Sequence, residues 1–187
     1  MRKLKRVFLI HGWEGRPESG WRPWLKKKLE SKGFAVSVPA MPDTNRPKMK
    51  AWVDHLTKTV KKPGEDCYFV GHSLGCITIL RFLETLEAGE KVGGAVLVAG
   101  FTNNLGFKEL DSFFTKPIDW KKLKKQCKRF VAIHSDDDPY VPLKHGKIFE
   151  KKLGAELIVK PGMKHFSSEG GRFELPVALN SLLKISK

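Results

Sequence analysis

Six short apolar segments recur along the chain, separated by stretches long enough for helices, and this alternation constrains the fold more than any other feature. Four of the six contain no charged or polar residue, which is typical of strands buried on both faces of a parallel sheet. The alternation therefore predicts an α/β fold with a mostly parallel, doubly wound sheet. The predicted strands are residues 7–10, 34–38, 68–70, 95–99, 130–133 and 157–159.

Five of the connecting stretches are predicted as helices. In the first, Trp24, Leu25 and Leu29 fall on one face and the lysines between them on the other, as in an amphipathic helix. The stretch after residue 100 is longer than a usual connection. We favour a helix with long loops for residues 101–128, and a small cap over a site is the alternative. The five predicted helices are residues 21–32, 48–62, 74–88, 143–153 and 173–185.

The length of 187 residues predicts a single domain over residues 1–187. No apolar run approaches the roughly 18 residues of a membrane span, and the apolar run after the basic start is too short for a signal peptide. The cysteines Cys67, Cys76 and Cys127 contain no close-spaced pair, so neither a disulfide framework nor a zinc site is predicted. We therefore expect a cytoplasmic protein.

The formal net charge of +15 requires a nucleic-acid binder to be considered. The lysines are scattered, however, and aromatic residues are not interleaved with them as in single-strand binders. Solvated helix faces are the favoured interpretation. We expect no specific nucleic-acid partner, although non-specific binding to polyanions is predicted.

The sequence Gly-His-Ser-Leu-Gly at residues 71–75 follows a predicted strand directly and precedes a predicted helix. This is the strand, turn and helix context of a nucleophile elbow, in which the serine projects from the sheet edge. The flanking glycines permit the tight turn because they carry no side chain. Ser73 is therefore the candidate nucleophile, and a structural serine in a glycine-rich turn is the alternative.

A serine nucleophile needs a base, and the base needs an acid that orients it. Among six histidines, His165 alone lies in the loop after the last predicted strand, where such loops converge on a site. The acid is expected after the preceding strand, where Asp136, Asp137 and Asp138 are adjacent. A metal site is the rival interpretation of this triplet, but neighbouring oxygens of one short turn rarely complete a coordination shell. The chain order serine, acid, histidine is that of α/β-hydrolases.

An oxyanion hole needs two preorganised backbone N–H donors. Leu74, the residue after the candidate nucleophile, supplies one. The loop after the first strand reads His11-Gly12-Trp13-Glu14-Gly15, and Gly12 allows the backbone to approach the substrate. We therefore expect the Trp13 N–H to be the second donor.

Four motifs together resemble the small serine hydrolases related to retinoblastoma-binding protein 9 and the bacterial YdeN-type proteins. The resemblance runs from Val7 to about Leu183 and implies a compact α/β-hydrolase fold with no large lid domain. It also implies that the acid is the aspartate immediately before proline, Asp138, with Asp137 in reserve. The motifs are H-G-W-E-G at residues 11–15, G-H-S-L-G at 71–75, S-D-D-D-P-Y-V-P at 135–142 and G-M-K-H-F at 162–166.

These residues predict a serine hydrolase of the carboxylesterase type, which cleaves small esters through Ser73, Asp138 and His165 with an acyl-enzyme intermediate. Neither a cofactor nor a metal is expected. An amidase or peptidase with the same triad is one alternative, and a non-catalytic binding protein on a hydrolase fold is another. The candidate substrate-binding residues are His11, Gly12, His72, Phe101, Tyr140 and Phe166. Further candidate walls, with core packing as the alternative, are Trp13, Phe107, Phe113 and Phe114.

Overall fold

A computed structural model, which describes residues 4–167 and 174–187, arranges all six predicted strands in one sheet. Every strand pair is parallel, and the order is β2-β1-β3-β4-β5-β6. The first strand in the sequence therefore lies inside the sheet, and the chain winds outward from it in both directions. The strands are β1 (Arg6–Ile10), β2 (Ala35–Ser37), β3 (Cys67–His72), β4 (Gly94–Val98), β5 (Phe130–Ser135) and β6 (Glu156–Lys160).

The predicted helices are present with shorter ends. The third ends at Leu83 because the next residues continue in turns, where Thr85 N–H donates to Phe82 O. The predicted start of the last helix, Phe173, lies outside the described residues. Within those residues, no helix is both long and apolar enough to span a bilayer. The helices are α1 (Arg22–Glu30), α2 (Met49–Val60), α3 (Leu74–Leu83), α4 (Trp120–Gln126), α5 (Lys144–Leu153) and α6 (Pro176–Ile185).

Both faces of the sheet are covered, because alternate strand residues point to opposite sides. Phe69 and Leu97 pack with α2, α3 and α5 on one face, whereas Val70 and Val98 pack with α1 and α6 on the other. This explains why the strands read as continuous apolar runs. Their carboxyl ends form the common edge that the site occupies.

The long stretch after β4 forms a 3₁₀ helix (Lys108–Phe114) and then α4. Arg81 of α3 holds it in place: its Nε donates to Phe113 O at 2.9 Å and its Nη2 to Lys116 O at 2.6 Å. The guanidinium is itself paired with Glu84 at 2.8 Å, and both side chains are buried. The stretch therefore contains helices, as favoured, and it also forms one wall of the site described below.

Gly75, in the first turn of α3, lies against β1. A Cβ atom at this position would meet Ile10 O at 2.3 Å and His11 O at 2.8 Å. Because these are backbone atoms of the sheet, no side chain can move aside to relieve the contact. The close packing of α3 on β1 therefore requires glycine here.

We expect Gly75→Ala to lower the free energy of unfolding by about 3 kcal/mol, since a methyl group forces α3 away from β1. Gly89→Ala is the matched control, because Gly89 has a φ of +93° but open space around it. The control should lose only about 1 kcal/mol from backbone strain. Urea unfolding of both variants measures the difference, and equal losses would contradict the steric explanation.

His134 of β5 and His145 of α5 are two buried histidines on the same face of the sheet. Nε2 of each has no hydrogen-bond partner among the described residues. Burial is the main cause that lowers the pKa of both histidines to about 4. Both are therefore neutral in the folded protein at neutral pH.

The free energy of unfolding should fall as the pH is lowered from about 6.5 toward 4. The two histidines bind protons in the unfolded chain over this range but not in the folded protein. At its steepest, each histidine contributes about 1.4 kcal/mol per pH unit. Urea unfolding at pH 7 and at about pH 5 measures the loss. His134→Gln should lose less free energy than the wild type over this interval, and an equal loss would contradict the assignment.

Candidate active site

Ser73 occupies a sharp turn between β3 and α3. Its φ of +53° and ψ of −120° lie outside the usual regions for a residue with a side chain. Its N–H donates to Val98 O of β4 at 2.9 Å, which ties the turn to the next strand. The hydroxyl therefore projects at the carboxyl edge of the sheet, half-exposed.

Ser73, His165 and Asp138 form a continuous hydrogen-bonded row. Ser73 Oγ lies 3.0 Å from His165 Nε2, and His165 Nδ1 lies 2.8 Å from Asp138 Oδ2. A carboxylate only accepts hydrogen bonds, so Nδ1 carries the proton and Nε2 can accept the serine proton. The structure thus brings the three predicted residues together from three different loops.

The Asp138 carboxylate is fixed by its own turn. Oδ1 accepts hydrogen bonds from the N–H groups of Tyr140 and Val141, both at 2.9 Å, and the side chain is 1% exposed. Oδ2 is left to His165. The orientation of the imidazole is therefore set by a carboxylate that cannot itself rotate freely.

Residues 135–138 at the end of β5 hold the loop of residues 162–165, which we call the His165 loop. Each of the four binds a different residue of that loop, so the acidic triplet acts as a series of acceptors. The contacts are Gly162 N–H to Asp136 Oδ1 at 2.9 Å, Met163 N–H to Ser135 Oγ at 2.9 Å, Lys164 N–H to Asp137 Oδ1 at 2.8 Å, and the Asp138–His165 pair.

Asp137, the reserve candidate for the acid, faces Lys164 instead of His165. Its Oδ2 pairs with Lys164 Nζ at 2.9 Å. This hydrogen bond, followed by one from Ser135, lowers the pKa of Asp137 to about 2. Asp137 therefore stays charged in mild acid and braces the His165 loop, while Asp138 is the carboxylate that reaches the imidazole.

The backbone N–H groups of Trp13 and Leu74 are both without a hydrogen-bond partner in residues 4–167 and 174–187. Both residues line the cavity beside Ser73. Gly12 lies directly against the serine: a Cβ there would stand 3.0 Å from Ser73 Cβ. Two free donors and a close backbone approach therefore adjoin the hydroxyl.

His11 is a correction to the predicted substrate-binding set. It is fully buried, its Nδ1–H donates to Gly12 O at 2.9 Å, and its Nε2 accepts the Met41 N–H at 3.1 Å. Burial lowers its pKa, which favours this neutral form. His11 supports the loop from behind and presents no free atom to a substrate.

His72 is also occupied by the protein. It borders the cavity, but its Nε2–H donates to the His165 carbonyl at 2.7 Å. Its ring packs against His165 and, edge-on, against Trp21. Burial first, and electrostatic repulsion by the neighbouring His165 imidazole second, lower the pKa of His72 well below its usual value. His72 therefore positions the His165 loop.

A cavity of about 690 Å³ opens above Ser73, which is within the range of small-molecule sites. Phe101, Tyr140 and Phe166 line it as predicted, and so does Phe107. Phe113 does not, because it is fully buried against Trp52. Phe114 packs against the core and does not line it either.

The cavity also has walls that the sequence did not indicate. The sequence places Arg22 only within a predicted amphipathic helix, yet as the first residue of α1 it lines the cavity. Trp21 holds the opposite loop through a hydrogen bond from Nε1 to Phe166 O at 3.0 Å. Other wall residues that the sequence did not indicate include Ser19, Leu105, Leu110 and Val141.

Across the described ranges, no group of three or more His, Cys, Asp and Glu side chains is arranged to hold a metal ion. The acidic triplet in particular is divided among separate backbone and side-chain donors. The chemistry available at this edge is that of a hydroxyl, an imidazole, a carboxylate and free amide donors.

Comparison with known proteins gives matches over nearly the whole chain. The family model described as serine hydrolase matches residues 7–184. The protein YdeN of Bacillus subtilis (strain 168), which is named a hydrolase, is 35% identical over 179 residues, covering 95% of this chain and 94% of that protein. Serine hydrolase RBBP9 of Rattus norvegicus is 30% identical over 152 residues, covering 80% and 79%.

Solved structures agree. The crystal structure of the ydeN gene product from B. subtilis superposes with a TM-score of 0.93 at 34% identity, covering 97% of this chain and 98% of that chain. Est1E from Butyrivibrio proteoclasticus shares the fold with a TM-score of 0.75 at 16% identity, covering 99% and 91%. The predicted α/β-hydrolase fold and the family resemblance are thereby confirmed.

We expect Asp137→Asn to speed amide hydrogen exchange in the His165 loop several-fold, because the amide loses the ion pair with Lys164 and accepts more weakly. Asp54→Asn is the matched control, since Asp54 pairs with Lys50 at 2.6 Å on the solvent-facing side of α2. Exchange measured by mass spectrometry should change at residues 162–165 only in Asp137→Asn. Unchanged exchange there would contradict the bracing role.

Proposed function

This chain belongs to the serine hydrolase family, and on that premise we propose that it cleaves small carboxylic esters through an acyl-enzyme on Ser73. One observation carries the proposal: Ser73 Oγ, the His165 imidazole and the Asp138 carboxylate are joined by contacts of 3.0 Å and 2.8 Å. This is the arrangement that activates a serine hydroxyl.

In the acylation step, Ser73 Oγ bonds to the ester carbonyl carbon while its proton passes to His165 Nε2. Asp138 stabilises the imidazolium through its bond to Nδ1. The tetrahedral intermediate then collapses, the bond to the alcohol oxygen breaks, and His165 gives its proton to the departing alcohol. The acyl group remains on Ser73.

The developing oxyanion is assigned to the N–H groups of Trp13 and Leu74. This assignment is supported because both donors are free in the described part of the chain, and both residues line the cavity that contains the hydroxyl. Preorganised donors of this kind stabilise charge that appears only in the transition state. Gly12 keeps the space beside Ser73 open, because a Cβ there would stand 3.0 Å from Ser73 Cβ.

Deacylation uses the same groups in reverse. His165 Nε2 takes a proton from water, the hydroxide oxygen bonds to the acyl carbon, and the bond to Ser73 Oγ breaks. Ser73 recovers its proton from His165, and the carboxylic acid leaves. Phe101, Phe166 and Tyr140 in the walls favour a short apolar acyl or alcohol part.

The cytoplasm is the proposed location, and the cysteines support it. Cys76 and Cys127 are free and buried, and Cys67 is buried as well. Burial raises the pKa of Cys127 to about 12 and that of Cys76 further, so these thiols are unreactive. Unpaired thiols of this kind fit a reducing compartment.

Labelling with a fluorophosphonate probe tests the proposed nucleophile. We expect a covalent adduct on Ser73 in the wild type and none in Ser73→Ala. Asp138→Asn should react about 10⁴-fold more slowly, because the imidazole loses the carboxylate that sets its tautomer. Mass spectrometry locates the adduct, and a panel of short-chain esters and matched amides measures turnover.

Ser31→Ala is the matched control, since Ser31 is exposed at the end of α1, and it should label like the wild type. No adduct on folded wild-type protein would contradict the proposal and favour the binding-protein alternative. Faster turnover of amides than of esters would indicate that the protein is an amidase and not an esterase.

A further inference from the structure

Arg22 is a buried cation in the wall of the cavity that contains Ser73. Its exposure is 5%. Nε and Nη2 donate to Arg16 O at 3.2 and 3.0 Å, and Nη2 also donates to Ser19 Oγ at 2.6 Å. The guanidinium lies 5.7 Å from the Trp21 ring. Three hydrogen bonds and the ring contact thus fix the side chain without neutralising its charge.

No carboxylate of the described residues lies within ion-pair distance of Arg22. Glu18 is exposed and attracts it only from a distance, and burial lowers the pKa of Arg22 to about 10. Arg22 is therefore still charged at neutral pH. A buried charge without a partner destabilises the folded protein. Burial of Arg22 is therefore unfavourable unless an anion binds to it.

Nη1 is the part of the guanidinium left available. Neither of its N–H groups has an acceptor in the described ranges, and Nη1 is not among the enclosed polar atoms that lack a partner. The nitrogen is therefore accessible, and the cavity is the space that the Arg22 side chain borders. Nε and Nη2 are bonded to the loop of residues 16–19, so Nη1 is the nitrogen that remains to bind a ligand.

We propose that Arg22 Nη1 binds a carboxylate carried by the substrate, so that the preferred substrates are esters with a second, anionic group. This inference rests on the proposed esterase function and names its substrate class. A carboxylate fits better than a phosphate, because one free nitrogen with a single positive charge matches a monoanion. A phosphate dianion needs several donors.

The electrostatics around the site point in the same direction. Arg16 and Glu14, both exposed, border the cavity and offset one another, which leaves Arg22 as the uncompensated charge of this wall. The net charge of +15 raises the local concentration of anions around the whole protein. Long-range attraction and one fixed contact therefore select the same kind of substrate.

The test compares two pairs of esters, each with a carboxylate and its methyl-capped form. In 4-nitrophenyl hydrogen adipate and 4-nitrophenyl methyl adipate the group is on the acyl side. In 4-acetoxybenzoate and methyl 4-acetoxybenzoate it is on the alcohol side. The measured quantity is the ratio of kcat/KM for the anionic ester to that for the neutral ester. We expect this ratio to exceed one in the wild type for at least one pair.

In that pair, Arg22→Gln should lower the ratio about tenfold, because one charge-assisted hydrogen bond to the substrate is lost. Arg22→Lys keeps the positive charge and should lower the ratio less. Lys27→Gln removes the same charge from the exposed side of α1 and should leave the ratio unchanged. An equal fall in Lys27→Gln, or no fall in Arg22→Gln, overturns the proposal, because the preference then comes from net charge alone.

The wild type decides the matter even if Arg22→Gln does not fold. A ratio at or below one for both pairs overturns the proposal. If the wild type cleaves the neutral esters and labels at Ser73 but shows no preference, the substrate class fails and the esterase function stands. If it neither labels nor cleaves any of the four esters, the esterase function fails and the substrate class with it.

Discussion

The site depends on the contact between the first turn of α3 and the end of β1. Gly75 lets α3 approach to within a distance that no side chain tolerates, and this approach places Ser73 above the sheet edge with a positive φ. Gly12 meets the serine from the other side. Ser73 is thus positioned by the absence of side chains around it, and the packing of α3 on β1 holds its strained turn in place.

The histidine side of the site is built in the opposite way, by many polar contacts. The His165 loop lies at the surface, where burial alone cannot fix it. Residues 135–138 bind it from β5, His72 holds the His165 carbonyl, and Trp21 holds the next one at Phe166. An imidazole on an exposed loop therefore receives a fixed position from donors and acceptors on three different elements.

Much of this architecture could be predicted from the sequence, because strands buried on both faces leave uninterrupted apolar runs and an elbow leaves two glycines around a serine. The directions of individual side chains could not. His11 is next to Gly12 and Trp13 in the sequence, but its side chain turns into the protein and accepts the Met41 N–H. Arg22 looks like one more cation of a basic helix, and only the tertiary fold brings it to the cavity. The separate partners of Asp136 and Asp137 depend on the path of a distant loop in the same way.

One wall of the cavity is attached differently from the rest. The stretch with Leu105, Phe107 and Leu110 is fastened to α3 by Arg81, which is bound in turn to Glu84, while the reacting groups are fastened to the sheet. The residues that shape this wall and the residues proposed to react are consequently held by different parts of the fold. Substitutions in the stretch after β4 can therefore change which substrates fit, while the residues at the strand ends stay as they are.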